Sequence, residues 1–171
     1  MPKWLNLDQA FSETLENSEK EGEVSSPEKI LVEVFLAKQY KKEKKVLKED
    51  WGKLGIKRVR LQFFKLGDPP ANMAIGSNIP AETARFAIDW ALQKNKGVAY
   101  ILPQFRFFNH HIVIGSSHYD EDSQIPITPE DLESLRNPEL THAQFHELYR
   151  KLTGEDKGNP TYLDSERFKE K

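Results

Sequence analysis

The chain has 171 residues, 37% of them apolar and 30% charged, with a formal net charge of −2. That length suits one domain around one core, and the complete lack of cysteine excludes a disulfide framework, a thiolate metal site and a cysteine nucleophile. No stretch approaches the roughly 18 uncharged apolar residues of a membrane span. Asp8 and Glu13 interrupt the apolar run that a secretory leader would need, so a cytoplasmic protein without a membrane segment is the expectation.

The near-neutral total hides a segregation of charge. Residues 1–30 hold three lysines against seven carboxylates, residues 38–65 eleven cations against three carboxylates, and residues 120–171 seven cations against thirteen carboxylates. A basic segment between acidic ends invites a polyanionic partner, although a solvated lysine face needs no partner at all.

In chain order, Leu7, Ala10, Phe11 and Leu15 have the spacing of a short amphipathic helix, and the Glu, Ser, Lys and Gly of residues 17–26 read as a flexible acidic linker. Ser26-Pro27 has the form of a cap and first helical position. The spacing of Ile30, Leu31, Val34, Phe35 and Ala37 predicts a basic helix to about Asp50, while the β-branched run of residues 30–36 also suits a strand. Residues 56–66 alternate as a strand, with Val59, Leu61 and Phe63 on one side and Arg58, Arg60, Gln62 and Phe64 on the other. After a short apolar stretch at residues 72–75, Pro80 opens a helix with Ala84, Ala87, Ile88, Ala91 and Leu92 on one stripe and Phe86 and Trp90 on a second, closed by Gly97. Residues 98–102 and 107–114 read as strands, which makes strand, helix, strand a parallel crossover unit. Thr128-Pro129 opens one short helix, and Thr141 with Gln144 forms a capping box for another carrying Phe145, Leu148, Tyr149 and Leu152, ended by Gly154.

The expected fold is therefore α/β (or α+β): a small mixed sheet of about four strands with a central packed helix, an N-terminal basic helix and a C-terminal helical pair. Residues 1–26 form a short helix and linker, 27–154 the single domain, and 155–171 a polar tail.

Three constellations carry chemistry. Lys41, Lys42 and Lys45 of the basic helix, Arg58, Arg60, Phe64 and Lys65 of the first alternating strand, and Arg106, Phe107, Phe108 and His110 around a later one combine cations with rings, the pairing by which sheets hold phosphates and stack bases. Phenylalanine is ordinarily core, which is the competing account of those rings. The near-repeat Gly76-Ser77-Asn78 and Gly115-Ser116-Ser117 follows two apolar runs and would receive an anion if the two strands place their loops together, although glycine and serine are also ordinary turn residues. Finally, all five histidines lie beyond residue 109. His142 and His146 are four apart on a helix, and His118 with Asp120 could complete a divalent-metal site or serve as catalytic groups.

These features favour a non-catalytic binding protein for single-stranded nucleic acid. The alternatives are an enzyme or binding protein for a phosphorylated or carboxylated small molecule at the two Gly-Ser loops, in one version metal-dependent, and a protein–protein interaction module. No motif demands a cofactor, a divalent metal being the one the histidines would admit, and neither the oligomeric state nor a reaction can be read from the residues.

Overall fold

A computed structural model describes residues 24–95, 97–104 and 109–154. The expected short helix of residues 7–15, most of the linker, the residues Phe105, Arg106, Phe107 and Phe108, and the tail from residue 155 lie outside them.

The helix expected from Pro27 is replaced in its first half by a strand. Pro27–Lys29 is a single 3-10 turn whose Ser26 side chain caps nothing, and the β-branched run that follows forms β1, Leu31–Leu36. Val32, Val34 and Leu36 alternate into the main core while Phe35 joins a separate cluster on the opposite face, a period of two that a helix cannot satisfy. The lysine-rich half is helical but starts later. A 3-10 stretch, Lys38–Glu43, leads into α1, Lys44–Gly52, which buries Leu47 and Trp51 and leaves its lysines exposed.

β2, Arg58–Phe63, returns parallel to β1 with Leu31 opposite Arg58 and Leu36 opposite Phe63. Its alternation is the expected one, with Val59 in the core and Arg58, Arg60 and Gln62 exposed. β3, Asn72–Ile75, is followed by α2, Ala81–Lys94, and β4, Tyr100–Ile101, which lies parallel to β3, so the expected crossover unit is present. α2 buries both of its stripes in part: Ala84, Ala87, Ile88 and Ala91 meet the sheet, and Trp90 packs against Trp51 and donates Nε1–H to Asp50 at 3.0 Å. Gly97 has the expected positive φ of 105°, but α2 already ends at Lys94 with an extended Asn95 as its cap.

β5, His111–Ile114, inserts between β1, to which it is parallel, and β3, to which it is antiparallel, and β6, Ile125–Pro126, pairs with β4. The sheet order is β2-β1-β5-β3-β4-β6. Four of these strands have four residues or more and two have only two, so a sheet of about four substantial strands is what the chain builds.

The crossovers β1-α1-β2 and β3-α2-β4 start from strands of opposite polarity and step outward in opposite directions. Two connections of one hand then place both helices on the same face, and the residues they bury join one cluster. α3, Pro129–Leu135, capped by Thr128, and α4, His142–Thr153, with the expected Thr141/Gln144 box and a left-handed Gly154, pack on the same side. Tyr149 Oη donates to Leu102 O at 2.7 Å and Arg136 Nε to Asp89 Oδ1 at 2.7 Å, fixing α4 and α3 to what lies beneath them. The other face of the sheet carries none of the helices among the described residues. No helix among them is long and apolar enough to cross a membrane.

Candidate functional site

On the helix-free face the sheet presents rows set by register: Leu31, Arg58 and His111; then Glu33, Arg60, Val113 and Ala74; then Phe35 and Gln62. The third row is covered at Phe35 and open at Gln62. Phe35, Ala74, Leu102 and Val113 form a small buried cluster under Phe64 and Tyr119, with the His118 ring 5.6 Å from that of Phe35. All three rows are open at β2, where Arg58, Arg60 and Gln62 are exposed.

Below the first row lies a cleft of about 410 Å3 lined by Val24, Ser25, Ser26, Lys29, Arg58, Asn78 and His110. Its position follows from polarity. β2, β1 and β5 are parallel neighbours that start level with one another, Leu31 facing Arg58 on one side and His111 on the other. A basic residue stands at or just before each start: Arg58, Lys29 and His110. None of these lining residues is a carboxylate.

The walls are held by short hydrogen bonds. Ser25 N–H donates to Asn78 O at 2.8 Å, Asn78 N–H to Asn109 O at 2.9 Å, Leu31 N–H to His110 O at 3.0 Å, and Ser77 Oγ to Asn109 Oδ1 at 2.9 Å. Arg58 Nη1 rests on Lys29 O at 3.3 Å. Beside the cleft the His110 and His111 rings meet edge to face, centroids 4.6 Å apart. Burial lowers the pKa of His111 below its ordinary value, and His110, Arg58 and Arg60 lower it further, which marks a locally positive surface. Glu33 faces Arg60 in register, and its Oε2 accepts from Gln62 Nε2 at 2.8 Å.

The basic residues expected to act together fall into three places. Arg58, Arg60 and His110 lie at the lower end, where β1, β2 and β5 begin. Lys41 and Lys42 line a shallow groove with Lys38 and Gln39 beyond the far end of β1, and exposed Lys65 follows the end of β2, about 17 Å away along the strand. Lys45 is exposed on α1, behind the sheet. Phe64 is half-buried, edge-on to Phe35 with centroids 6.5 Å apart, rather than standing free as a stacking ring. Arg106, Phe107 and Phe108 lie outside the described residues.

The two Gly-Ser loops are separated by polarity. Because β3 and β5 are antiparallel, Met73 opposite Ile114 and Ile75 opposite Ile112, the loop after β3 is at the lower end and the loop after β5 at the upper. Four of the six amides of these loops are also engaged within the fold, which leaves little of an anion nest. Gly76 N–H donates to His111 O, Asn78 N–H to Asn109 O and Gly115 N–H to Asn72 O, each within 3.0 Å, and Ser116 N–H donates to Asn72 Oδ1 at 3.1 Å. The upper loop lines a depression of about 600 Å3 together with Tyr100, Tyr119, Glu121, Asp122 and Gln124, and Ser117 is exposed there. Glu121 and Asp122 give it the wrong sign for an anion.

The proposed metal ligands do not converge. His118 and Asp120 belong to the loop over Phe35, whereas His142 and His146 lie on α4 behind the sheet, and no group of three or more metal-capable side chains occurs among the described residues. Ser116 Oγ accepts from the backbone N–H of His118 at 3.1 Å, and Asp120 precedes a 3-10 turn, so this segment is a turn and not a nucleophile-base pair. His146 is fully buried. Its Nε2 is 2.7 Å from Ile79 O, an acceptor only, so Nε2 carries the proton and donates, while Nδ1 accepts from Gln104 Nε2 at 2.8 Å.

Local sequence patterns do not single out Lys29, Ser25, Ser26 and His111 as neighbours of Arg58, since only strand order and polarity unite them. Comparison of the chain with protein-family models, curated proteins and solved structures found no significant match, so its function has to be argued from this geometry.

Proposed function

We propose that the protein is a non-catalytic binding protein that holds the phosphates of a single nucleic-acid strand at the lower end of its helix-free sheet face. One observation carries this reading: Lys29, Arg58 and His110, brought from three chain segments, line one cleft with two serines and Asn78 and no carboxylate. Arg60 lies next along β2 and extends the positive surface onto the open face. Lysine and arginine are the groups that neutralise phosphate and release its counterions, and arginine adds a two-pronged fork for the oxygens. The half-exposed His111 ring is a polar aromatic surface beside that track.

Fluorescence anisotropy of a labelled single-stranded oligonucleotide, measured over a salt series, tests the proposal. With Lys29, Arg58 and Arg60 on phosphates, log affinity falls against log salt with a slope of about −2. The double substitution Arg58→Glu and Arg60→Glu removes binding while leaving the circular dichroism spectrum unchanged, because both side chains are exposed. Absence of binding at low salt, or binding indifferent to both salt and the double substitution, overturns the reading.

A further inference from the structure

Resting on that reading, we infer that the preferred guest of the cleft is the terminal phosphate monoester of a strand, not an internal phosphodiester. Charge here is concentrated rather than strung out. Lys29, Arg58 and His110 share the cleft. Along β2 the next cation is Arg60, about 6.6 Å further on, and after it comes Gln62, bonded to the carboxylate of Glu33. The row of cations therefore stops within two residues of the cleft, where a track for successive diesters would repeat them.

The charge matches an end group. A phosphate monoester carries a charge of about −1.5 to −2 at pH 7 and three strong acceptor oxygens. Lys29 and Arg58 supply two permanent positive charges, and His110 adds a ring nitrogen from a third chain segment. An internal diester has one negative charge, so it would leave one of the two permanent positive charges uncompensated. Arg58 is also held in place, its Nη1 on Lys29 O, and the backbone of the 25–29 segment is tied to Asn78, which lowers the ordering entropy of binding. A cleft of about 410 Å3 accommodates a terminal nucleotide with its phosphate. Ser25, Ser26 and Asn78 lie on the same walls and offer hydrogen bonds to the sugar.

The test uses the full chain and four probes: one oligonucleotide sequence with a 5′-phosphate, with a 3′-phosphate, and with hydroxyls at both ends, plus the matching mononucleotide monophosphate. Isothermal titration at fixed salt is expected to give at least a tenfold tighter dissociation constant for one phosphate-ended strand than for the hydroxyl-ended strand. Lys29→Gln and His110→Gln, both at accessible side chains, each bring that ratio towards one. Equal affinity for all three strands overturns end recognition and leaves strand binding standing. Binding of the mononucleotide with none of the strands supports the monoester site and overturns the strand reading. Loss of all binding overturns both, and a tenfold preference untouched by either substitution overturns the assignment to this cleft.

Discussion

Replacing His146 with glutamine is expected to flatten the acid side of the stability curve. The wild-type ring is fully buried, its Nε2–H on Ile79 O and its Nδ1 accepting from Gln104. Burial lowers its pKa from an ordinary 6.5 to about 3, against the pull of the Ile79 bond and helped by the charges of His142 and Arg150. The sign follows from proton linkage: between pH 6.5 and about 3 the unfolded chain binds a proton at this residue and the folded one does not, so stability falls as the pH drops through that window. From pH 7 to pH 5 the loss from this one residue amounts to about 2 kcal/mol, a sizeable part of the ~5–15 kcal/mol that holds a domain together. Urea unfolding of wild type and His146→Gln at both pH values isolates the effect, since every other titrating group is common to the two proteins. The wild type should lose about 2 kcal/mol more than the variant over the interval. Parallel losses in the two proteins would refute the assignment of a neutral buried imidazole, as would an imidazole resonance of His146 that titrates between pH 5 and pH 7.

Gly115→Ala should destabilise by about 1–3 kcal/mol, because Gly115 has φ 77° and an added Cβ would stand 2.9 Å from Phe35 O and 3.0 Å from Asn95 Nδ2; a thermal midpoint unchanged in calorimetry would count against that loop geometry. Asn72→Ala removes the side chain that bonds Ser116 through both its N–H and its O, and also Gln124, and leaves buried groups unsatisfied for a loss of about 2–3 kcal/mol by denaturant unfolding. An effect under half a kilocalorie or so would show the loop is held elsewhere. In proton NMR, His111 should titrate below its ordinary value, and Arg58→Gln should raise that value because one repelling charge is gone. No movement in the variant would place Arg58 away from the ring.

Features decided by neighbours in sequence are legible in the residues themselves. The alternation of β2, the Thr128 and Thr141 caps and the left-handed Gly154 depend on residues within one turn or one strand. The run at residues 30–36 is not legible in this way, because it is apolar enough to satisfy a helical stripe and β-branched enough for a strand; pairing with β2 and β5 on both edges decides it. His146 flanks the stripe of Phe145 and Tyr149, and nothing local reveals that Gln104 and Ile79 receive its two ring nitrogens. Arg58 and His110 are recognisable by residue type as groups that suit a phosphate. Lys29 is not, since its place beside them follows from three strands starting level.

That dependence on polarity explains both the site that forms and the one that does not. A parallel trio, β2-β1-β5, gathers the residues preceding or opening each strand at one end, which is why Lys29, Arg58 and His110 meet. The antiparallel pair β3 and β5 does the reverse for residues that follow strands, sending Gly76-Ser77-Asn78 and Gly115-Ser116-Ser117 to opposite ends. Were β5 reversed, His110 would leave the cleft and the two Gly-Ser loops would share an end. The opposite polarity of the two crossover units in turn places their helices on one side, so Arg58 and Arg60 face solvent instead of a second helical layer. Strand direction, more than any single motif, thus decides where this chain presents positive charge.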